Sequence, residues 1–139
     1  MPSAASGPPL LVVLSGPSGA GKDAVLNRLK QSGLDFCHVT TMTTRPIRAR
    51  EIDGTDYYFV SVEHFQKLIR AGGLMEYAEV YGNWYGVPKA PAREGLAAGR
   101  DVVIKVDVQG AATIRQLAPE ALLLFLTPPR FSELADRLK

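Results

Sequence analysis

The sequence predicts an α/β fold: a parallel sheet with helices on both faces, interrupted by a small antiparallel insertion. Three observations carry that expectation. Short, nearly continuous apolar runs recur at residues 10–14, 102–106 and 121–126, as in strands buried on both faces. The first two lead through a turn into apolar residues at helical spacing, so strand and helix alternate as a parallel sheet requires. Residues 37–87 differ, with short Thr-, Tyr- and Val-rich segments between turn signals, the pattern of antiparallel strands. A chain of 139 residues fits one domain, and at that size ~68% of the unfolded surface can be buried on folding.

Taken in order, residues 1–9, MPSAASGPP, read as a loose N-terminal extension. They lack a charged leader, and the apolar run after them is too short for a signal peptide or a membrane span. The strand at 10–14 follows. From Lys22, the residues Val25, Leu26 and Leu29 share one helical face until Gly33, which closes a first core segment at 10–36. In the insertion at 37–87, Asp53-Gly54, Gly72-Gly73 and Gly82-Asn83 mark turns, and a helix is expected at 62–71. The core resumes over 88–139. Its strand at 102–106 is apolar except for Lys105, a turn at 107–110 precedes a helix ending at Leu117, and the strand at 121–126 leads to Pro128-Pro129 and a helix starting at Ser132.

Sixteen basic and fourteen acidic residues, net charge +2, are interspersed without a basic cluster, which gives nucleic-acid binding no support. Cys37 is the single cysteine, so an intrachain disulfide and a Cys-based zinc cluster are excluded; a small core residue and a reducing, cytoplasmic compartment are expected. His38 and His64 have no evident partners and are expected to be structural or exposed.

Chemistry enters at SGPSGAGKD, residues 15–23, directly after the first strand. Up to Lys22 it follows the G-x-x-x-x-G-K pattern of a P-loop. Such a loop lines a nest with backbone N–H groups, uses glycines for dihedrals other residues resist, and aims a helix N-terminus at phosphate. Gly16, Pro17, Ser18, Gly19, Ala20, Gly21, Lys22 and Asp23 are therefore candidate ATP-binding residues in a P-loop NTPase-type sheet, with Lys22 supplying charge to the β- and γ-phosphates. Asp23 stands where a magnesium-binding Ser or Thr is usual. It is either a local stabiliser of the helix N-terminus or a hard oxygen ligand touching Mg²⁺ directly or through water.

A second segment, TTRPIRAREIDGTDYYF at 43–59, sets Arg45 and Arg48 three apart with Tyr57 beyond. By themselves the arginines are either a solvated face or a clamp for a phosphate's planar oxygen pairs. Asp107, ending a buried strand, is either a turn residue or an acid of the magnesium shell.

The run T-T-R-x-x-R-x-x-E-x-x-G-x-x-Y-x-F resembles the signature of the guanylate kinase family, met here at Thr43, Thr44, Arg45, Arg48, Glu51, Gly54, Tyr57 and Phe59. SGPSGAGK, FVSVEHF, MEYAEVYGNWYG, VDVQGA and FLTPP extend the resemblance from Leu10 onward. It implies Mg²⁺-dependent transfer of the ATP γ-phosphoryl group to GMP, giving ADP and GDP, with the insertion as the GMP-binding part. By position it implies that Arg45, Arg48, Tyr57 and Tyr85 hold the GMP phosphate, that Glu76 and Thr41 read guanine, that Asp107 lies between the metal and the substrate side, and that Arg137 reaches the transferring phosphoryl group. Lys22, Arg45 and Arg137 are the implied catalytic residues; Asp23 and Asp107 are the candidate metal contacts. Guanine's adjacent N1–H and N2–H₂ suit one carboxylate, whereas adenine would leave Glu76 unpaired, a discrimination of about 10⁴.

This sequence departs from the resemblance at Asp23, at Lys105, where an acid is common, and at Val87, where a hydroxyl is usual near guanine. Lys105 and Asp107 share a strand face and are expected to pair, or else Lys105 supplies charge lost elsewhere. Family chains continue past the position of Lys139 with a lid, a second arginine, and a further strand and helix; the expectation is a C-terminally truncated chain that binds nucleotide poorly and turns over GMP slowly or not at all. The alternative is an inactive guanylate-kinase-like interaction module, against which the intact GPSGAGK argues. A kinase for another nucleoside monophosphate is disfavoured by Glu76 and the signature segment.

Overall fold

The computed structural model describes residues 7–17 and 21–127. In chain order the elements are β1 (Leu11–Ser15), α1 (Lys22–Gln31), β2 (Phe36–His38), β3 (Met42–Thr43), β4 (Tyr58–Phe59), α2 (Val62–Arg70), β5 (Leu74–Val80), β6 (Asn83–Pro88), α3 (Lys89–Ala97), β7 (Asp101–Lys105), α4 (Val108–Leu117) and β8 (Leu122–Phe125).

Four of the strands form a sheet in the order β2-β7-β1-β8, every neighbouring pair parallel. The apolar runs of β1 and β7 are continuous because both faces of these strands are covered. Val13, Val102 and Ile104 pack on one side with Ala92 of α3 and Ala111 and Ile114 of α4. Their strand neighbours Leu14 and Val103 point the other way, onto Leu26 of α1. Alternating side chains thus serve two half-cores. The helix expected from Ser132 lies outside the described residues.

The second sheet has the order β4-β3-β6-β5. Phe65 of α2, fully buried, packs against Met42 and Leu74 under this sheet, and Ser61 caps α2 by accepting from the His64 N–H at 3.1 Å. Two expectations are corrected here. The insertion is mixed rather than purely antiparallel: β4 runs parallel to β3, pairing Met42 with Tyr58 and Thr43 with Phe59, because the long 44–57 segment returns the chain to the same end of the sheet. The boundary at residue 37 also falls inside a core strand, since Cys37 and His38 pair with Val102 and Val103 in the parallel sheet.

Sequence reasoning did not anticipate α3, whose KAPAREGLA carries Pro91 and Gly95. Pro91 sits in the first turn, where a missing N–H costs nothing. Gly95 is demanded by packing: a Cβ there would lie 2.8 Å from Val102 Cγ2 and 3.2 Å from Cys37 Cβ, so the helix rides directly on the sheet.

Candidate active site

The parallel sheet delivers the glycine-rich loop at the end of β1. Gly16 has φ 150°, and a Cβ there would stand 2.5 Å from the Leu126 carbonyl oxygen, so the chain can leave β1 beside β8 only without a side chain. Gly21, in the left-handed region at φ 93°, opens α1 with no side-chain cap, which leaves the first-turn N–H groups for an anion. Lys22 folds back, its Nζ donating to the Gly16 carbonyl at 2.8 Å. Ser18, Gly19 and Ala20 lie outside the described residues, as does Arg137.

Next to the loop, Lys105 at the end of β7 stands in register with Leu14. Its Nζ donates to Asp23 Oδ1 in an ion pair that joins β7 to the first turn of α1. The expected pairing of Lys105 with Asp107 gives way to this one, because Asp107 is engaged elsewhere. The Asp107 carboxylate caps α4, Oδ1 accepting from the Gly110 N–H at 2.7 Å, so residues 108–110 are helix rather than turn.

The mixed sheet brings its own residues to the same place. Lys22, Thr41, Tyr57, Glu76, Ala78, Val80, Tyr85, Lys105, Val106 and Asp107 line a cavity of about 480 Å³. Of the residues expected at the site, it unites Lys22, Thr41, Tyr57, Glu76, Tyr85 and Asp107. Glu76 lies on β5, pairing with Val87 of β6, and its carboxyl group faces α4 where Gly110 leaves room; a Cβ on Gly110 would be 3.1 Å from both Glu76 Cδ and Oε1. Burial, reinforced by the negative charge of Asp107, pushes the Glu76 carboxyl up to about 7. Val87, 1% exposed, belongs to the core packed against the parallel sheet and offers the cavity no polar group.

Arg45 stands beside this cavity. Its guanidinium donates twice to Glu51, at 2.8 Å to Oε1 and 2.7 Å to Oε2, and lies 5.3 Å from the Tyr57 ring centre and 5.7 Å from that of Phe59. The Glu51 hydrogen bonds hold Arg45 charged more firmly than usual, and the same bonds hold the Glu51 carboxyl down at about 2. The Arg48 N–H also donates to Glu51 Oε1, at 2.9 Å, while Arg48 itself is exposed. Tyr57 meets Tyr85 edge to face at 5.8 Å. Glu51 thus holds the Arg45 guanidinium and the Arg48 backbone amide; it was part of the signature, but no role had been read for it, since its function is visible only once residues 45 and 51 are brought together.

A neighbouring cavity of about 420 Å³ is lined by Asp23, Lys30, His38, Glu51, Asp56 and Lys105 among others. His38 is half-buried there. Burial first, then the charges of Lys30 and Lys105, push its imidazole down to about 4, so it is neutral at physiological pH.

Among the described residues no three His, Cys, Asp or Glu side chains gather as a metal cluster, and no helix is long and apolar enough to cross a membrane.

A sequence model of guanylate kinase matches residues 9–139. The guanylate kinase of Thermosynechococcus vestitus is 43% identical over 139 residues, covering 100% of this chain and 73% of the relative. That of Lactobacillus johnsonii is 47% identical over 130 residues, covering 93% of this chain and 64% of the relative. The crystal structure of guanylate kinase from Anaplasma phagocytophilum superimposes with a TM-score of 0.75 at 35% identity, over 93% of this chain and 65% of that one. A glycine loop on a parallel sheet, an arginine-tyrosine cluster on a mixed one and a match running from residue 9 to 139 agree, and the chain belongs to the guanylate kinase family.

Proposed function

We propose that the chain transfers the γ-phosphoryl group of ATP to GMP. The observation that carries this is the cavity shared by the two sheets, with Glu76 and Thr41 at hand for a base and Tyr57, Tyr85 and Lys22 for phosphates. An ionised Glu76 accepts from guanine N1–H and N2–H₂ together. Arg45, held by Glu51 and the two rings, and the exposed Arg48 bind the GMP phosphate with the phenol hydroxyls of Tyr57 and Tyr85. The loop amides and Lys22 hold the ATP phosphates. A GMP phosphate oxygen then attacks the γ-phosphorus in line, the bond from that phosphorus to the β–γ bridging oxygen breaks, and ADP leaves. Little covalent help is needed from the protein in so loose a transition state, so alignment and charge neutralisation supply the rate.

Mg²⁺ held mostly by phosphates and water needs only one or two protein carboxylates. Asp107 fits that role through Oδ2, since only Oδ1 is used in the cap. Asp23 does not fit it, because its carboxylate already faces an ammonium group that repels a dication. When bound, the ion neutralises charge on the β- and γ-oxygens.

The test is a coupled assay of GMP-dependent ADP formation, with separate binding measurements for the two nucleotides. Arg45→Ala and Arg48→Ala should each weaken GMP binding by ~10-fold or more, the loss expected for charge-assisted hydrogen bonds, with ADP binding within a few-fold of the parent. Equal loss for both nucleotides would overturn the assignment of the arginines to GMP.

A further inference from the structure

We propose that Lys105 is a further phosphate-facing cation of this site, beside Lys22 and the two arginines, and that Asp23 is the counterion that positions it, not a ligand for the metal. The inference rests on the phosphate-handling reading of the loop given above and extends it to two residues that depart from the family pattern.

The two departures meet. Lys105 and Asp23 are 82 positions apart in sequence, yet they form one ion pair. An acid at position 23 brings an anion to the first turn of α1, where polyphosphate must bind; a lysine at position 105 brings a compensating cation to the adjacent strand end, in register with Leu14 just before the loop. Lys105 lines the cavity shared by Lys22, Tyr57, Tyr85 and Glu76, and it also lines the neighbouring cavity with Asp23, so its side chain forms part of the wall between them.

The cations already assigned to phosphates have other partners in the fold: Arg45 donates to both oxygens of Glu51 and Lys22 to the Gly16 carbonyl, whereas the ion pair of Asp23 is with Lys105. The Asp23 side chain is 76% exposed and that of Lys105 31%, so the pair is hydrated enough to rearrange. An ammonium group has three donors; Lys105 can keep one on Asp23 while another reaches a phosphate oxygen. Without Lys105, Asp23 would be an uncompensated anion a turn away from the phosphates, repelling the ligand the loop is built to hold.

The experiment is a double-mutant cycle on this chain, read by calorimetric binding of inorganic tripolyphosphate and of ADP, with and without EDTA, and with circular dichroism to confirm folding. Lys105→Met should weaken tripolyphosphate binding by about 10-fold or more. Lys105→Arg should stay within a few-fold of the parent, because charge and reach are kept. The double variant Asp23→Ser with Lys105→Met should recover most of the loss, since the repelling anion has gone with its counterion. Lys105→Gln provides the same comparison if the methionine variant misfolds. Recovery of similar size with Mg²⁺ and in EDTA supports the counterion role. Recovery in EDTA that is lost or reversed in Mg²⁺-containing buffer would make Asp23 a metal contact, and additive losses would leave the two residues independent; either result overturns the proposal, as would a parent chain that does not bind tripolyphosphate. Tripolyphosphate binding without GMP binding would instead remove the proposed acceptor and leave the pair standing.

Discussion

At Glu76 the stability of the fold and the proposed guanine contact depend on the same proton. The carboxyl is pushed from 4.5 to about 7 by burial and by Asp107, so the folded state holds its proton more tightly than the unfolded chain does. The stability it confers is therefore complete below pH 4.5 and is lost as pH rises through about 7. Because the group is only partly buried, water screens the effect, and the loss should be about 1 to 2 kcal/mol. Thermal unfolding measured from pH 5 to 8 should show the parent losing stability relative to Glu76→Gln. Guanine needs the ionised form, so GMP binding below pH 7 should release a proton that Glu76→Gln does not release. Calorimetry in buffers of different ionisation enthalpy measures this directly; equal proton release by the parent and Glu76→Gln would place the guanine contact elsewhere.

At the level of elements, the β5–β6 hairpin makes a prediction of its own. Val80 pairs with Asn83 across a two-residue turn in which Tyr81 has φ 51° and Gly82 φ 82°, the double positive-φ geometry that favours Asn-Gly. Tyr81 is 99% exposed and gains no packing for its strain. Tyr81→Asn should stabilise the chain by about 0.5 to 1 kcal/mol, seen as a rise in Tm of a few degrees; no rise would mean that the tyrosine makes contacts in solution that outweigh the strain. The turn was legible as a Gly82-Asn83 signal, one residue late, because glycine marks the place but only register assigns the central pair. Strands β1 and β7 were legible because burial on both faces leaves unbroken apolar runs, and α1 through its helical spacing; β2, only three residues long, was not. In contrast, α3 was hidden: what fixes it is the fit of Gly95 on Val102 and Cys37, a contact between distant residues that no local pattern records. The site followed the same division. Lys22 stood out through motif spacing, and Glu76 and the roles of the arginines came through the family resemblance, whereas the Lys105–Asp23 pair joins residues 82 positions apart that meet only in the folded chain.

For the molecule as a whole, the decisive contact is the one between the two sheets, where β5 lies against α4. Met75 packs on the core of the parallel sheet, and Glu76 sits against Gly110, the third residue of α4. The cavity takes Glu76, Tyr57 and Tyr85 from one sheet and Lys22, Lys105 and Asp107 from the other, so a ligand that fills it ties the two together. A ligand that binds only the folded form at 100 times its Kd adds about 2.7 kcal/mol. GMP should therefore raise Tm by several degrees, and AMP at the same concentration should raise it much less. Gly110→Ala tests whether the joint itself carries this coupling. The added Cβ would lie 3.0 Å from Val106 Cβ and 3.1 Å from the Glu76 carboxyl, tighter than ordinary contact, so Glu76 must move or the sheets must part. The variant should lose about 1 to 3 kcal/mol of stability, the usual cost of overpacking, and most of the GMP-induced shift, while its affinity for ADP on the glycine loop stays near that of the parent. A variant that kept the full GMP shift would show that guanine is held without the α4–β5 contact; one that lost ADP and GMP binding together would show that the joint supports the whole parallel sheet rather than the acceptor site.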